Sequence, residues 1–135
     1  MTGGQKILAV DDSLLICQQI EKVLKNEEYT VYQSHSAKET LELLEKVNPD
    51  LILLDVVLPD MEGYELFEKI KEKDENHAPV IFITSKDSEQ DVIRGFELGA
   101  CDYIKKPFRP EELKSRVKAH LEDCLLYTSD AADEL

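Results

Sequence analysis

Leu51-Ile52-Leu53-Leu54 is a run of four branched aliphatic residues without polar alternation, and it ends on Asp55. Such a run suits a strand buried on both faces of a parallel sheet. Val56, Val57, Leu58, Pro59, Asp60, Met61, Glu62 and Gly63 follow, and the Pro and Gly mark a loop that returns to a helix. The pattern repeats along the chain. Lys6 to Val10 (KILAV) is a short apolar run leading into Asp11-Asp12-Ser13, after which Ile16, Ile20, Val23 and Leu24 recur at helical spacing. Tyr29 to Ser34 (YTVYQS) is rich in β-formers, and Ser36 with Glu39 forms a capping box for a helix carrying Ala37, Leu41 and Leu44. Asn48-Pro49 stops that helix.

Beyond the central strand, a helix is predicted from about Gly63 to Lys73, burying Leu66, Phe67 and Ile70. Pro79 to Ile83 (PVIFI) is again an apolar strand, ending on Thr84-Ser85, and a helix with Val92, Ile93 and Phe96 closes at Gly99. Tyr103-Ile104-Lys105 forms a short last strand before Lys106-Pro107. Pro110 suits a first helical position, with Glu111 and Glu112 in the first turn and Leu113, Val117 and Leu121 as the buried stripe. Strands alternating with helices in this way predict an α/β chain of the (βα)5 kind. Right-handed crossovers place helices on both faces of one sheet, a flavodoxin-like doubly wound sandwich with five parallel strands in the order 2-1-3-4-5.

Composition narrows the partners. At 135 residues the chain is one domain by length, and 42% hydrophobic with 33% charged residues is ordinary for a globular protein. No apolar run approaches the roughly 20 residues of a membrane span, and Met1 to Gln5 lacks the basic and apolar regions of a signal peptide, so a cytoplasmic location is expected. Cys17, Cys101 and Cys124 are too scattered for a disulfide framework or a metal knuckle and are read as reduced packing residues. A net charge of -13 disfavours direct nucleic-acid binding and favours a protein partner or a divalent cation.

The predicted strand ends deliver Asp11-Asp12, Asp55, Thr84 and Lys106 to one edge of the sheet. Taken singly, each has a plain reading: an Asp or Thr that caps a turn, a lysine in solvent. Convergence changes that. In the 2-1-3-4-5 order the first and third strands are neighbours, so three carboxylates meet at the switch point, where open α/β sheets hold their ligands. Such a cluster calls for a cation, and a hard divalent ion such as Mg²⁺ takes carboxylates, a carbonyl and waters while leaving room for a phosphate oxygen. With the metal, Asp55 can act as a nucleophile toward phosphorus and form an acyl phosphate. Lys106 offers a second positive charge, and Thr84 a hydroxyl for the phosphoryl group.

These pieces resemble the receiver domain of two-component response regulators. The resemblance is carried by Val10-Asp11-Asp12-Ser13, Leu54-Asp55 with Leu58-Pro59 and Gly63, Ile83-Thr84-Ser85, Gly99-Ala100 and Tyr103-Ile104-Lys105-Lys106-Pro107-Phe108. It implies that a phosphohistidine on a sensor histidine kinase phosphorylates Asp55. It further implies that Asp12, Asp55 and the Val57 backbone carbonyl bind Mg²⁺, with Asp11 acting largely through water, and that the Lys106-Pro107 peptide is cis. Lys106 is the functional lysine of its pair, and Lys105 should point away. On phosphorylation Thr84 would move toward the phosphoryl group and Tyr103 turn inward, remodelling the face of the fourth helix, fifth strand and fifth helix. That face would signal to a downstream output protein or a lost C-terminal output domain, or form a phosphorylation-dependent homodimer.

The resemblance also implies that the side chains at Val57 and Lys86 influence water attack on the acyl phosphate. Valine cannot orient a water, so slow autodephosphorylation is expected. The domain would be a phosphoacceptor with self-directed phosphotransfer and not a metabolic enzyme. One alternative is a phosphate-independent scaffold for protein contact. Another is an Asp-nucleophile phosphatase of the haloacid-dehalogenase type, which needs an acid two residues after the first Asp, where this chain has Ser13. No Gly-rich loop supports nucleotide binding, and His35, His77 and His120 form no recognisable cluster. The expected domain covers 6–123, after a disordered 1–5. The remainder, 124–135, reads like one frame of a sequencing adapter (CLLYTSDAADE), so a foreign tail is expected, which would make Asp130, Asp133 and Glu134 foreign charges.

Overall fold

A computed structural model describes residues 4–25, 27–74 and 77–134, with side chains as far as Glu122. The elements are β1 (Lys6–Val10), α1 (Leu14–Lys25), β2 (Thr30–Ser34), α2 (Ala37–Leu44), β3 (Leu51–Leu54), α3 (Gly63–Lys73), β4 (Val80–Thr84), α4 (Glu89–Leu98), β5 (Asp102–Lys105) and α5 (Pro110–Glu134). All strand pairs are parallel, in the order β2-β1-β3-β4-β5. This is the doubly wound arrangement expected from the alternation of strands and helices.

Burial on both faces explains the unbroken apolar strands. Leu8, Val10, Ile52, Leu54 and Phe82 face one core with Ala37 of α2 and Tyr64, Leu66, Phe67 and Ile70 of α3. Ile7, Ala9, Leu51, Leu53, Ile81 and Ile83 face the other, with Ile20 and Leu24 of α1 and Leu113, Val117 and Leu121 of α5. Alternate residues of each strand thus serve opposite cores, each fully buried aliphatic side chain contributing about 1.5–3 kcal/mol relative to exposure.

Local signals behave as expected with two refinements. Ser36 caps α2, its Oγ accepting from the Glu39 N–H at 3.1 Å, but Glu39 reaches back to the His35 N–H at 2.7 Å, one residue before the cap. On α4 the apolar spacing marks the helix but not its buried face: Ile93 and Phe96 are about half exposed, and Gly95 is the buried residue. Gly99 ends α4 in the left-handed region with φ 110°.

α5 runs as helix to Glu134, and 123–134 holds no Gly or Pro that would stop it. The side chains of that stretch, Cys124 included, lie outside the described residues, and so does the expectation of a foreign tail. Met1 to Gly3 lie outside them too. Gln5, from the segment expected to be disordered, accepts from the Thr30 N–H through its carbonyl at 2.9 Å. No helix among the described residues is long and apolar enough to cross a membrane.

Candidate phosphoacceptor site

Strand register builds the site. Val10 of β1 pairs with Leu54 of β3, so the residues that follow, Asp11 and Asp55, emerge side by side at the carboxyl edge. The Asp55 N–H donates to the Val10 carbonyl at 3.0 Å and the Asp11 N–H to the Ser34 carbonyl of β2 at 3.0 Å, extending the ladder by one residue. Asp11 and Asp55 are almost fully buried, whereas Asp12 is exposed. One oxygen from each of Asp11, Asp12 and Asp55 lies within 4.8 Å of the others.

Lys106 enters this cluster from the end of β5. Its Nζ lies 2.5 Å from Asp11 Oδ2 and 2.9 Å from Asp55 Oδ2. Its backbone N–H donates to the Thr84 carbonyl at 2.9 Å, and the Lys106-Pro107 peptide is cis. Lys105 turns outward and pairs with Asp87 at 2.9 Å.

The electrostatics are unbalanced. Burial raises the Asp11 carboxyl above its ordinary value, and the Asp55 charge adds to this, against the lowering by Lys106 and the Ser13 N–H. For Lys106, burial opposes its charge, but its bonds to Asp11 and Asp55 prevail and raise its pKa. Two ionised carboxylates at such separations repel by about 3–4 kcal/mol at an intermediate dielectric. Three carboxylates against one ammonium leave a deficit that a divalent cation cancels, and the all-oxygen donor set is the chemistry of Mg²⁺.

Thr84 is buried, and its Oγ1 accepts from the Lys86 N–H at 3.2 Å, closing a turn. Tyr103 is half-buried, its ring 5.8 Å from that of Phe82. Its hydroxyl donates to the Lys86 carbonyl at 2.5 Å. The Val57 N–H donates to Asp55 Oδ1 at 3.2 Å, while the Val57 side chain is half exposed. Cys17 Sγ donates to the Asp11 carbonyl at 3.4 Å, and burial pushes its thiol up to about 12, so it is an unreactive packing group.

Three features had escaped the sequence reading. Asp60, in the loop after Asp55, accepts from the Ala37 and Lys38 N–H groups at 2.9 Å each, fastening that loop to the start of α2. A Pro-Asp loop gives a hint of capping, but the partner lies 23 residues away. Tyr64 of α3 reaches the Tyr103 hydroxyl. His120, assigned no role above, pairs with Asp102 at 2.9 Å, beside the Arg116 Nη1 that donates to both Asp102 carboxylate oxygens at 2.8 and 2.9 Å. Burial opposes ionisation of Asp102, but Arg116 and His120 hold its pKa below the ordinary value.

A doubly wound sheet with an acidic cluster and a lysine at its switch point is the architecture of a signalling receiver. The chain belongs to the response regulator receiver domain family, whose model matches residues 7–118. Aspartate phosphorylation and Mg²⁺ binding are typical of that family. Among curated proteins, the regulatory protein VanR of Enterococcus faecium is 49% identical over 118 residues, covering 87% of this chain and 50% of VanR. The chain therefore spans about half the length of that relative. Among solved structures, a CheY-like response regulator receiver domain protein from Methanospirillum hungatei JF-1 is 34% identical, covers 88% of this chain and 94% of its own, and superposes with a TM-score of 0.82. The BeF3-activated receiver domain of RstA from Klebsiella pneumoniae is 31% identical, covers 87% and 98%, and has a TM-score of 0.81.

Proposed function

We propose that this domain accepts a phosphoryl group on Asp55 from the phosphohistidine of a sensor histidine kinase, in the cytoplasm, and signals through the face of α4, β5 and α5. The observation that carries the reading is Lys106 Nζ set between Asp11 and Asp55 inside a three-carboxylate cluster. A Val57 N–H donated to Oδ1 orients the Asp55 carboxylate. In the transfer, Asp55 Oδ2 forms the new bond to phosphorus as the donor's phosphorus-nitrogen bond breaks, the electron pair leaving with the imidazole. Lys106 then moves from Asp55 to the phosphoryl oxygens, and the Thr84 hydroxyl, whose oxygen accepts from the Lys86 N–H, donates its own proton to one of them. Asp11, Asp12, Asp55 and the Val57 carbonyl would hold Mg²⁺, which when bound supplies charge neutralisation for the equatorial oxygens.

The output is a protein contact: a downstream partner, a following output domain, or a second copy of this chain. The domain itself phosphorylates and dephosphorylates only its own Asp55. Beryllofluoride with Mg²⁺ tests the reading, as DrrB and RstA have BeF3-activated receiver structures. Amide signals at Asp55, Thr84, Lys86 and Tyr103 are expected to shift in slow or intermediate exchange. Silence at all of them would favour a phosphate-independent scaffold.

Lifetime offers a second test. The half-exposed Val57 places a side chain without hydrogen-bonding capacity beside the acceptor. Val57→Asn is expected to speed decay of the phosphorylated form roughly tenfold, about 1.4 kcal/mol of barrier, measured after donor removal. Decay no faster than the parent would remove Val57 as the brake.

A further inference from the structure

Tyr64 is the second residue of α3 and is buried. A phenylalanine would make the same edge-on contact with Phe82, whose ring centroid lies 5.1 Å away. The hydroxyl adds a junction between elements. It donates to the Asp91 carbonyl of α4 at 2.8 Å and lies 3.2 Å from the Tyr103 hydroxyl of β5. Arg94 of α4 stacks over the same ring at 4.4 Å and pairs with Glu62, two residues before Tyr64.

Counting protons sets the direction of this network. The two hydroxyls carry one proton each for three contacts. The Tyr103 proton goes to the Lys86 carbonyl, which can only accept. The Tyr64 proton is therefore shared between the Asp91 carbonyl and the Tyr103 oxygen. If the Tyr103 ring swung out, Tyr64 would keep Asp91 as partner, whereas Tyr103 would lose both of its own. The ring also occupies a fitted slot, since a Cβ on Gly95 would stand 3.1 Å from two of its edge carbons.

We propose that Tyr64 is a positioning residue for the switch, its hydroxyl latching Tyr103 in the inward arrangement. The helix that follows the acceptor loop thereby sets how readily the β5 face responds. This rests on the reading of Tyr103 as a switch residue given above. Because the acyl-phosphate mimic and the inward ring favour the same state, the latch strengthens binding of the mimic.

The test is a beryllofluoride titration with Mg²⁺, followed by amide shifts, on the parent chain, Tyr64→Phe, Tyr103→Phe and the double variant. Tyr64→Phe is expected to weaken binding roughly two- to tenfold, the range of one neutral hydrogen bond. In the Tyr103→Phe background the same change is expected to cost nothing further, a coupling that a purely structural role of the hydroxyl would not produce. Tyr103→Phe alone is expected to weaken binding at least as much, which checks the latch from its other side should Tyr64→Phe fold poorly. Unaltered binding by Tyr64→Phe, or an equal loss in both backgrounds, would overturn the latch while leaving the receiver reading in place. A parent chain that ignores beryllofluoride would instead overturn the proposed function and the latch with it.

Discussion

Asp55→Asn is expected to reduce labelling by a small phosphodonor such as acetyl phosphate by at least about 10³-fold, to background, with Mg²⁺ present. An amide nitrogen has no available lone pair for attack on phosphorus, and the amide oxygen lacks the charge that makes a carboxylate a nucleophile. The substitution is nearly isosteric, so the Val57 N–H keeps an acceptor at Oδ1. It also removes one negative charge from a cluster in which Asp11 already has its pKa raised by burial and by Asp55. The metal-free fold should therefore be no less stable than the parent, and a urea midpoint checks this. Loss of label with an intact fold separates chemistry from structure. Labelling at the parental rate would place the acceptor elsewhere and remove Asp55 from its proposed role.

The central strand was readable because both its faces are buried: every residue from Leu51 to Leu54 is apolar, so only a sandwiched parallel strand accommodates it. The acidic rim was readable for a related reason. Each Asp follows directly on a strand whose end the apolar run marks, and Val10↔Leu54 pairing then brings Asp11 and Asp55 together. Lys106 came from the far end of the chain, and the match to a known pattern, rather than periodicity, singled it out from Lys105.

Less visible were contacts whose partners are remote and whose own positions follow another rule. Tyr64 fits the apolar stripe of α3, so nothing local reveals that its hydroxyl meets Tyr103, 39 residues on. Gly95 interrupts the apolar spacing of α4, yet it is the position that faces the sheet, because Phe82 and Tyr103 fill the space a side chain would need. Ile93 and Phe96 remain half exposed on a helix that the same spacing would have buried. His120 finds Asp102 across the β5-α5 junction, where no cluster of histidines exists to announce it. Helical and strand periods report which face is apolar; they carry no information about which polar tips meet across elements.

Gly63→Ala is expected to be the most damaging small substitution in the fold. A Cβ at Gly63 would lie 2.1 Å from the Asp55 carbonyl oxygen and 2.9 Å from both the Asp55 carbonyl carbon and the Val56 Cα. All three are backbone atoms, so no rotamer change relieves the clash. Either the first turn of α3 retreats, which lengthens the 2.6 Å bond from the Gly63 N–H to the Val56 carbonyl, or the Asp55-Val56 peptide rotates and takes the Asp55 carboxylate with it. Overpacking of this kind costs about 2–4 kcal/mol, which lowers the thermal midpoint by roughly 10 °C in a domain of this size. Gly99→Ala supplies the comparison. Gly99 sits at φ 110° with only Phe67 Cζ at 3.9 Å, so alanine there meets backbone strain without a clash. Its cost should stay near 1–2 kcal/mol, with phosphoryl uptake unaltered. Urea midpoints and initial labelling rates of the two variants, measured side by side, decide the matter. Gly63→Ala should lose both stability and uptake. Near-parental values for it would mean that the α3 entry yields freely and that Asp55 is not held by this close backbone approach.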